Sequence, residues 1–226
     1  MKYSEIFHTI QGEGTLIGVP SVFFRTSYCN LRCAWCDTPY TSWEPENRDI
    51  SVADSLQSIT EFGCKHVVIT GREPFIQAKE LTDLCRELDE LGHHITIETN
   101  ATVFAKVDAH LISMSPKLRN SNPSTDNRFF KMHERERICP DVIHKFLDAY
   151  PCQVKFVVDS PDDLAEIRLL QKNIPIPIES ILLMPQGKTP QVLHQKQEWL
   201  VDICKENGYR YSPRVHVDIW GEKRGV

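Results

Sequence analysis

The sequence predicts an α/β protein, an open partial (β/α) barrel of about six mainly parallel strands with helices outside. Short β-branched and aromatic runs alternate with amphipathic helical patterns, which is typical of parallel sheets with right-handed crossovers. Six strands fall short of the eight that close a barrel. The 226 residues contain no internal repeat, low-complexity tract or linker, so we expect a single domain over residues 1–226.

Six runs rich in Val, Ile, Phe and Thr are the predicted strands. They cover residues 19–26, 66–70, 94–99, 110–115, 153–158 and 180–184. Because the carboxyl ends of parallel strands meet at one edge of the sheet, ligands are expected at that edge. Polar residues follow five of the six runs there, beginning at Cys29, Thr70, Glu98, Ser115 and Pro185.

Four amphipathic helices are predicted between these strands. The first follows the cap Ser51-x-x-Asp54, and the second carries leucines at three-to-four spacing from Leu81 to Leu91. Ser160-Pro161 and Thr189-Pro190 open the other two, because Pro at the first helical position loses no hydrogen bond.

The charge and hydropathy of the chain argue against two classes of partner. A net charge of −5 provides no cationic face for nucleic acid. No segment approaches the roughly 18 uninterrupted apolar residues of a membrane span, and the N-terminal residues do not resemble a secretory signal. We therefore expect a cytoplasmic protein that binds neither nucleic acid nor membrane.

Three of the eight cysteines form the strongest candidate site. Cys29, Cys33 and Cys36 have the spacing C-x3-C-x2-C, which suits a loop holding three irons of a 4Fe–4S cluster. The fourth iron is then open to the amine and carboxylate of S-adenosylmethionine. The alternative, a zinc knuckle, needs a fourth ligand, and no His or Cys lies between Cys36 and Cys64. We interpret the five scattered cysteines as packing or surface residues.

The cysteine spacing and the Glu73-Pro74 element resemble the radical S-adenosylmethionine superfamily. Along the whole chain, Ile10-Gln11-Gly12-Glu13-Gly14, Arg25, Cys36-Asp37-Thr38 and the segment from Arg214 to Val226 resemble the 7-carboxy-7-deazaguanine synthases. This resemblance implies a carbon–nitrogen lyase that converts 6-carboxy-5,6,7,8-tetrahydropterin to 7-carboxy-7-deazaguanine with loss of ammonia. It also implies three cofactors, namely the 4Fe–4S cluster, S-adenosylmethionine and Mg²⁺.

The resemblance further implies which residues bind the substrate. They are Ile10, Gln11, Gly12, Glu13, Arg25, Thr70, His216 and Val226. Gln11 to Glu13 would face the donor and acceptor edge of the pterin, and Arg25 would pair with the substrate carboxylate as a planar fork. Taken alone, the Gly-Glu-Gly stretch is better interpreted as a simple turn and Arg25 as a surface ion pair. The role of Glu98 stays open.

A second implied set binds S-adenosylmethionine and magnesium. The cofactor residues are Trp35, Cys36, Asp37, Gly71, Arg72, Glu73, Ser115, Pro116, Lys117, Met184, Pro185, Gln186 and Gly187. Thr38 would give Mg²⁺ a neutral oxygen ligand, although a Thr after Cys-Asp, taken alone, is more often a turn residue. Ser115 and Lys117 could equally form a solvated cap. Arg72 departs from the family, in which a second Gly is usual, and we expect it to act through its backbone.

Two other functions remain compatible with the cysteine spacing. A glycyl-radical activating enzyme shares it but docks a large protein, and the element from Gln11 to Gly14 argues against that interpretation. A non-catalytic metal-binding module is the third possibility. For a deazaguanine synthase, the resemblance implies a homodimer and an external electron donor such as flavodoxin or ferredoxin.

Overall fold

A computed structural model describes residues 1–41, 48–71 and 73–226. Its centre is one open sheet with the strand order β3-β1-β2-β4-β5-β6-β7-β8-β9. All neighbours from β2 to β9 are parallel, whereas β1 runs antiparallel to both β2 and β3. The predicted open, mainly parallel sheet is therefore confirmed.

The six predicted strands match six observed ones within two residues at each end. They are β2 (Pro20–Thr26), β4 (His66–Gly71), β5 (His94–Thr99), β6 (Leu111–Met114), β7 (Cys152–Val158) and β8 (Ile181–Pro185). Sequence patterns did not predict β1 (Lys2–Ile10), β3 (Arg48–Asp49) and β9 (Arg210–Tyr211). Most residues of β1 are partly exposed on both faces, so no apolar alternation marks it. The other two strands have two residues each, too few to show a period.

Seven α-helices accompany the sheet within the described residues. They are α1 (Val52–Thr60), α2 (Ala78–Glu90), α3 (Phe130–Glu136), α4 (Pro140–Ala149), α5 (Asp163–Asn173), α6 (Pro190–Asn207) and α7 (Val215–Trp220). The predicted caps of α1 and α6 are confirmed, because Ser51 accepts from the Asp54 amide and Thr189 from the Val192 amide. Helix α5 begins two residues after Pro161, since the Asp163 carboxylate accepts the amides of Asp159 and Ser160 and holds them in a turn.

The central strands are apolar along their length because helices cover the sheet. Phe24, Ile69, Ile97 and Phe156 are fully buried, and Phe146 of α4 packs within the same core. Among the described residues, no helix is both long and apolar enough to cross a membrane. The polar residues that follow β2, β4, β5, β6 and β8 are left at the carboxyl edge of the sheet, where the candidate site lies.

Candidate active site

A cavity of about 300 Å³ opens at the carboxyl edge of the sheet. Its lining includes all eight predicted substrate residues and all four predicted metal ligands: Ile10, Gln11, Gly12, Glu13, Arg25, Thr70, His216, Val226, Cys29, Cys33, Cys36 and Thr38. The fold thus brings the N-terminal motif, the cysteine loop and residues beyond position 213 into one space. A simple turn or an isolated surface pair would not require that convergence.

The cysteine loop begins directly after β2. Cys33 and Cys36 are buried together with Leu31, and Cys29 packs against them. The Cys29 sulfur accepts the Leu31 amide at 3.3 Å and faces the Asn100 side-chain amide at 3.8 Å. These donors suit a thiolate, since N–H groups directed at sulfur stabilise its negative charge.

Neighbouring elements hold this loop from outside the cavity. The Arg32 amide donates to Nδ1 of the buried His133 at 3.0 Å, and the His133 Nε2 lies 2.9 Å from the Ser121 hydroxyl. Burial lowers the pKa of His133 to about 4, so the ring is neutral at pH 7 and can accept that amide. The Ala34 amide donates to the Ser121 carbonyl at 2.9 Å, giving the loop a second anchor on the same turn.

The three sulfurs meet the requirement of a four-iron cluster. Among the described residues, no three His, Cys, Asp or Glu side chains converge closely enough to share a single metal ion. A cubane cluster does not require its ligands to converge on one metal ion, because each thiolate binds a different iron. One loop that directs three cysteines to one cavity, with N–H donors behind Cys29, therefore fits the cluster.

The predicted cofactor residues divide into two groups. Trp35, Cys36, Asp37, Gly71, Ser115, Lys117, Met184 and Gln186 line the cavity. Lys117 donates to the Ser115 hydroxyl at 2.8 Å, and its ammonium lies 5.6 Å from the centre of the Trp35 ring. Gly71 has a φ of 116°, and a Cβ there would lie 2.2 Å from the Thr26 carbonyl oxygen, so only glycine fits this strand end.

Glu73, Pro116, Pro185 and Gly187 do not line the cavity in the described part of the chain. Glu73 is fully buried and accepts from the Thr99 hydroxyl and from the amides of Asn100 and Phe75. Burial raises its pKa to about 7, even though these hydrogen bonds favour the carboxylate. A contact of Glu73 with the methionyl amine stays a prediction. Arg72 lies outside the described residues.

A buried charge cluster forms the substrate side of the cavity. Glu13 forms ion pairs with Lys155 and, at 3.0 Å, with Arg214, whose guanidinium also lies 2.5 Å from Asp37. His216 Nε2 is 3.8 Å from the same Glu13 carboxylate. Burial alone would raise the pKa of Glu13, but the attraction of Lys155, Arg214 and His216 keeps it well below its usual range. Glu13 is therefore an anion at neutral pH.

Gly12 allows this cluster to assemble. A Cβ at position 12 would lie 2.1 Å from the His216 Nδ1, and the Gly12 carbonyl accepts the Val215 amide at 3.0 Å. The motif near the N-terminus and the start of α7 are therefore in direct contact. Any side chain larger than hydrogen would separate them.

Glu98, whose role the sequence left open, lies at the centre of a polar contact set. Its carboxylate accepts from the Thr70 hydroxyl at 2.6 Å and from the Gln11 amide at 3.2 Å, and it lines the cavity. Gln11 is nearly fully buried, and its carbonyl oxygen accepts the Glu13 amide at 3.1 Å. Glu98 thus orients two predicted substrate residues, which makes it part of the site.

Sequence reasoning missed several residues of this site. Lys155 sits in the middle of β7, where a single Lys reads as an outward-facing strand residue, yet it is 5% exposed. Asn100 belonged to no motif, and Arg214 began the segment that resembles the family but was given no role in the site. The one available signal was position, since Asn100 follows a strand run at the carboxyl edge.

Comparison with known proteins gives the family. Residues 23–119 match the Radical SAM superfamily. A 7-carboxy-7-deazaguanine synthase from Rhodopirellula baltica is 43% identical over 226 aligned residues, which cover 99% of this chain and 88% of that protein. The chain belongs to the 7-carboxy-7-deazaguanine synthase family.

Other relatives of the family agree with this placement. The Halobacterium salinarum 7-carboxy-7-deazaguanine synthase is 39% identical, covering 98% of this chain and 91% of that protein. The crystal structure of QueE from Escherichia coli superposes with a TM-score of 0.71 at 25% identity, covering 95% of this chain and 94% of that chain. As a radical S-adenosylmethionine protein, the chain uses a 4Fe–4S cluster and S-adenosylmethionine.

Proposed function

We propose that this protein converts 6-carboxy-5,6,7,8-tetrahydropterin to 7-carboxy-7-deazaguanine with loss of ammonia, on the route to queuosine and related deazapurines. The observation that carries the proposal is one cavity lined both by Cys29, Cys33 and Cys36 and by every residue expected to bind the pterin. When bound, the reduced cluster and S-adenosylmethionine supply an adenosyl radical that can remove a substrate hydrogen atom.

The residues of the chain bind and orient the pterin. The Glu13 carboxylate, held as an anion by Lys155 and Arg214, accepts hydrogen bonds from the N–H groups of the pterin edge. The Gln11 carboxamide is fixed by Glu98 and reads the same edge. Such a set rejects ring systems without matching donors, because its buried polar atoms would lose their partners.

Arg25 holds the substrate carboxylate in this proposal. Its Nε lies 2.7 Å from Glu5, and among the described residues its two terminal nitrogens carry no hydrogen bond to the protein. These nitrogens form the planar fork that a carboxylate accepts. The ion pair expected of a surface Arg is present, but the side chain is only 20% exposed and lines the cavity.

Magnesium binding by Thr38 is also part of the proposal. Thr38 follows Cys36 by two residues and lines the same cavity as the predicted pterin-binding residues. Mg²⁺ needs few protein ligands and keeps several waters. The single domain over 1–226, the homodimer, the flavodoxin or ferredoxin donor and the cytoplasmic location remain predictions.

Anaerobic incubation of the cluster-loaded enzyme with reductant, S-adenosylmethionine, Mg²⁺ and 6-carboxy-5,6,7,8-tetrahydropterin tests the function. We expect mass analysis to detect 7-carboxy-7-deazaguanine, formed in many turnovers for each S-adenosylmethionine. The Cys33→Ala protein is the matched control and should form none. Stoichiometric 5'-deoxyadenosine without deazaguanine product would contradict the proposal and favour the glycyl-radical activating enzyme.

A further inference from the structure

Lys155 is a buried cation on the wall of the cavity. On β7 it shares a face with Gln153 and Val157, because alternate residues of a strand point the same way. Val154 and Phe156, on the opposite face, belong to the apolar core. The pleat of β7 therefore directs Lys155 away from that core, and Lys155 lines the cavity although it is only 5% exposed.

The ammonium of Lys155 has more hydrogen-bond donors than the protein uses. It carries three N–H groups. Among the described residues, Lys155 donates one hydrogen bond, to the Glu13 carboxylate, while Glu98 attracts it from farther away. Burial lowers the pKa of Lys155, but the attraction of the two carboxylates outweighs this and raises it, so the group is a cation at neutral pH. Because a buried donor is costly to leave unpaired, the other two N–H groups are suited to an acceptor on a ligand.

The other cation bound to Glu13 is less available to a ligand. Arg214 has all three of its side-chain nitrogens bonded to the protein, at Glu13, Gly187 and Asp37. Arg214 binds one oxygen of the Glu13 carboxylate, and Lys155 binds the other. A ligand that lies along this carboxylate therefore meets its available donors on the Lys155 side.

The loop that carries Glu13 is fixed against the same face of β7. The Thr15 amide donates to the Gln153 side-chain oxygen at 2.8 Å, and the Gln153 side-chain nitrogen donates to the Ser113 hydroxyl at 2.7 Å. A Cβ at Gly14 would lie 2.3 Å from that nitrogen, so the loop and the strand are in direct contact. The carboxylate and the ammonium are thus held side by side before a ligand binds, which lowers the cost of ordering them.

The edge of the pterin ring presents a pattern that this pair of side chains matches. In a 2-amino-4-oxo ring the amino N–H and the N3–H are donors, and the neighbouring oxygen on C4 is an acceptor. The proposed function places the two donors on Glu13, so the C4 oxygen comes next along the edge. A carboxylate cannot donate a hydrogen bond to that oxygen, whereas an ammonium beside the carboxylate can.

We propose that Lys155 binds the C4 oxygen of the pterin and determines specificity for the 4-oxo ring. The inference rests on the proposed function, because it takes Glu13 as the acceptor of the neighbouring N–H groups. The contact selects oxygen over a weaker acceptor at C4, because the buried N–H groups of the cation would otherwise lose their partner. Lys155 therefore extends the set of predicted substrate residues.

Anaerobic calorimetric titration with two ligands tests this contact. The cluster-loaded enzyme with S-adenosylmethionine, kept free of reductant so that no turnover occurs, is titrated with 6-carboxy-5,6,7,8-tetrahydropterin and with its 4-thioxo analogue. Sulfur accepts hydrogen bonds weakly, and the analogue keeps the N3–H that Glu13 accepts. We expect the wild type to bind the oxo compound roughly tenfold to a hundredfold more tightly, and Lys155→Met to lose most of that preference. Comparing both proteins with both ligands cancels the effect of the larger sulfur atom.

Two further variants and one spectroscopic measurement sharpen the test. Lys155→Gln keeps a neutral N–H donor, so its preference for the oxo compound should lie between those of the wild type and Lys155→Met. Lys205→Met, which removes an exposed lysine of α6 paired with Asp202, is the matched control and should keep the wild-type preference. Infrared spectra of the wild type need no variant that folds. The stretch of the C4 carbonyl, identified by isotope labelling, should fall below its frequency in water when the pterin binds, because a charge-assisted hydrogen bond is stronger than a neutral one.

An equal preference for the oxo compound in the wild type and in Lys155→Met would overturn the contact. So would a carbonyl stretch of the bound pterin at or above its frequency in water. Weaker binding of S-adenosylmethionine to Lys155→Met, with an unchanged pterin preference, would assign Lys155 to the cofactor and also overturn it. If the wild type binds the pterin but forms no deazaguanine, the proposed function fails and the ligand preference still decides the role of Lys155. A wild type that binds neither ligand would overturn both.

Discussion

Removing the Glu13 carboxylate should destabilise the protein strongly, because Glu13 lies between two buried cations. In Glu13→Gln, Arg214 keeps Asp37 at 2.5 Å, but among the described residues Lys155 is left with the more distant attraction of Glu98. The Lys155 and Glu13 side chains are 7% and 13% exposed, so solvent does little to compensate. Breaking a buried pair in this way costs about 3–5 kcal/mol. For a domain of this size that corresponds to a melting temperature lower by about 6–20 °C.

A double-mutant cycle separates the lost pair from the loss of a side chain. Glu13→Gln/Lys155→Met removes both charges and keeps similar volumes, so its loss of stability should be smaller than the sum of the single losses, by about 1–3 kcal/mol. Melting curves of anaerobic proteins with equal cluster content provide the measurement. Lys205→Gln, which removes an exposed pair with Asp202, is the control and should not change the melting temperature. A Glu13→Gln protein as stable as wild type, or fully additive losses in the cycle, would refute the reasoning.

Four other outcomes follow from the site. Cys33→Ala should abolish cleavage of S-adenosylmethionine under dithionite, whereas Cys85→Ala, in the buried face of α2, should retain it. Cleavage by the Cys33→Ala protein would contradict the assignment of Cys33 as a cluster ligand. Burial raises the pKa of Glu73 to about 7 from an ordinary 4.5, so its protonated form gives stability that is complete below about pH 4.5 and is lost as pH rises through 7. Urea unfolding should therefore show the stability of wild type relative to Glu73→Gln falling by up to about 3 kcal/mol between pH 5 and pH 8, and a constant difference would speak against it. Asn100→Ala should shift the midpoint potential of the cluster to a more negative value in a redox titration, because it removes an N–H donor to Cys29. An unchanged potential would show that the 3.8 Å contact does not stabilise the thiolate. Thr38→Ala should leave S-adenosylmethionine cleavage intact and weaken the magnesium dependence of product formation, and a wild-type magnesium titration would move the metal elsewhere.

The central sheet could be predicted because its strands are buried on both faces. Strand β5, for example, reads His-Ile-Thr-Ile-Glu-Thr, and its apolar residues are fully buried. Strand β1, which lies between β3 and β2, could not be predicted, since its residues face solvent and protein in no regular order. Helix α3 buries only His133, so it lacks the apolar stripe by which a helix is recognised.

The site was predictable where a short motif carries the chemistry and not where distant residues meet. The spacing of Cys29, Cys33 and Cys36 indicates a cluster by itself. Lys155 gave no such signal, because its importance comes from Glu13, which is 142 positions away. For Glu73 the motif predicted a contact with the cofactor. The structure instead buries Glu73 and uses its carboxylate to cap the turn at Pro74–Gln77.

The buried charge cluster joins residues from the two ends of the chain, since Glu13 and Arg214 are 201 positions apart. These residues must meet before the substrate side of the cavity can form. Closing so long a loop is slow and comes after local structure has formed. The cysteine loop and its anchors at Ser121 and His133 lie within about the first 60% of the chain and form over shorter separations. During synthesis, the cysteine loop can therefore fold while the substrate side of the cavity is still incomplete. The cluster then has no substrate site beside it until the remainder of the chain has packed against the sheet.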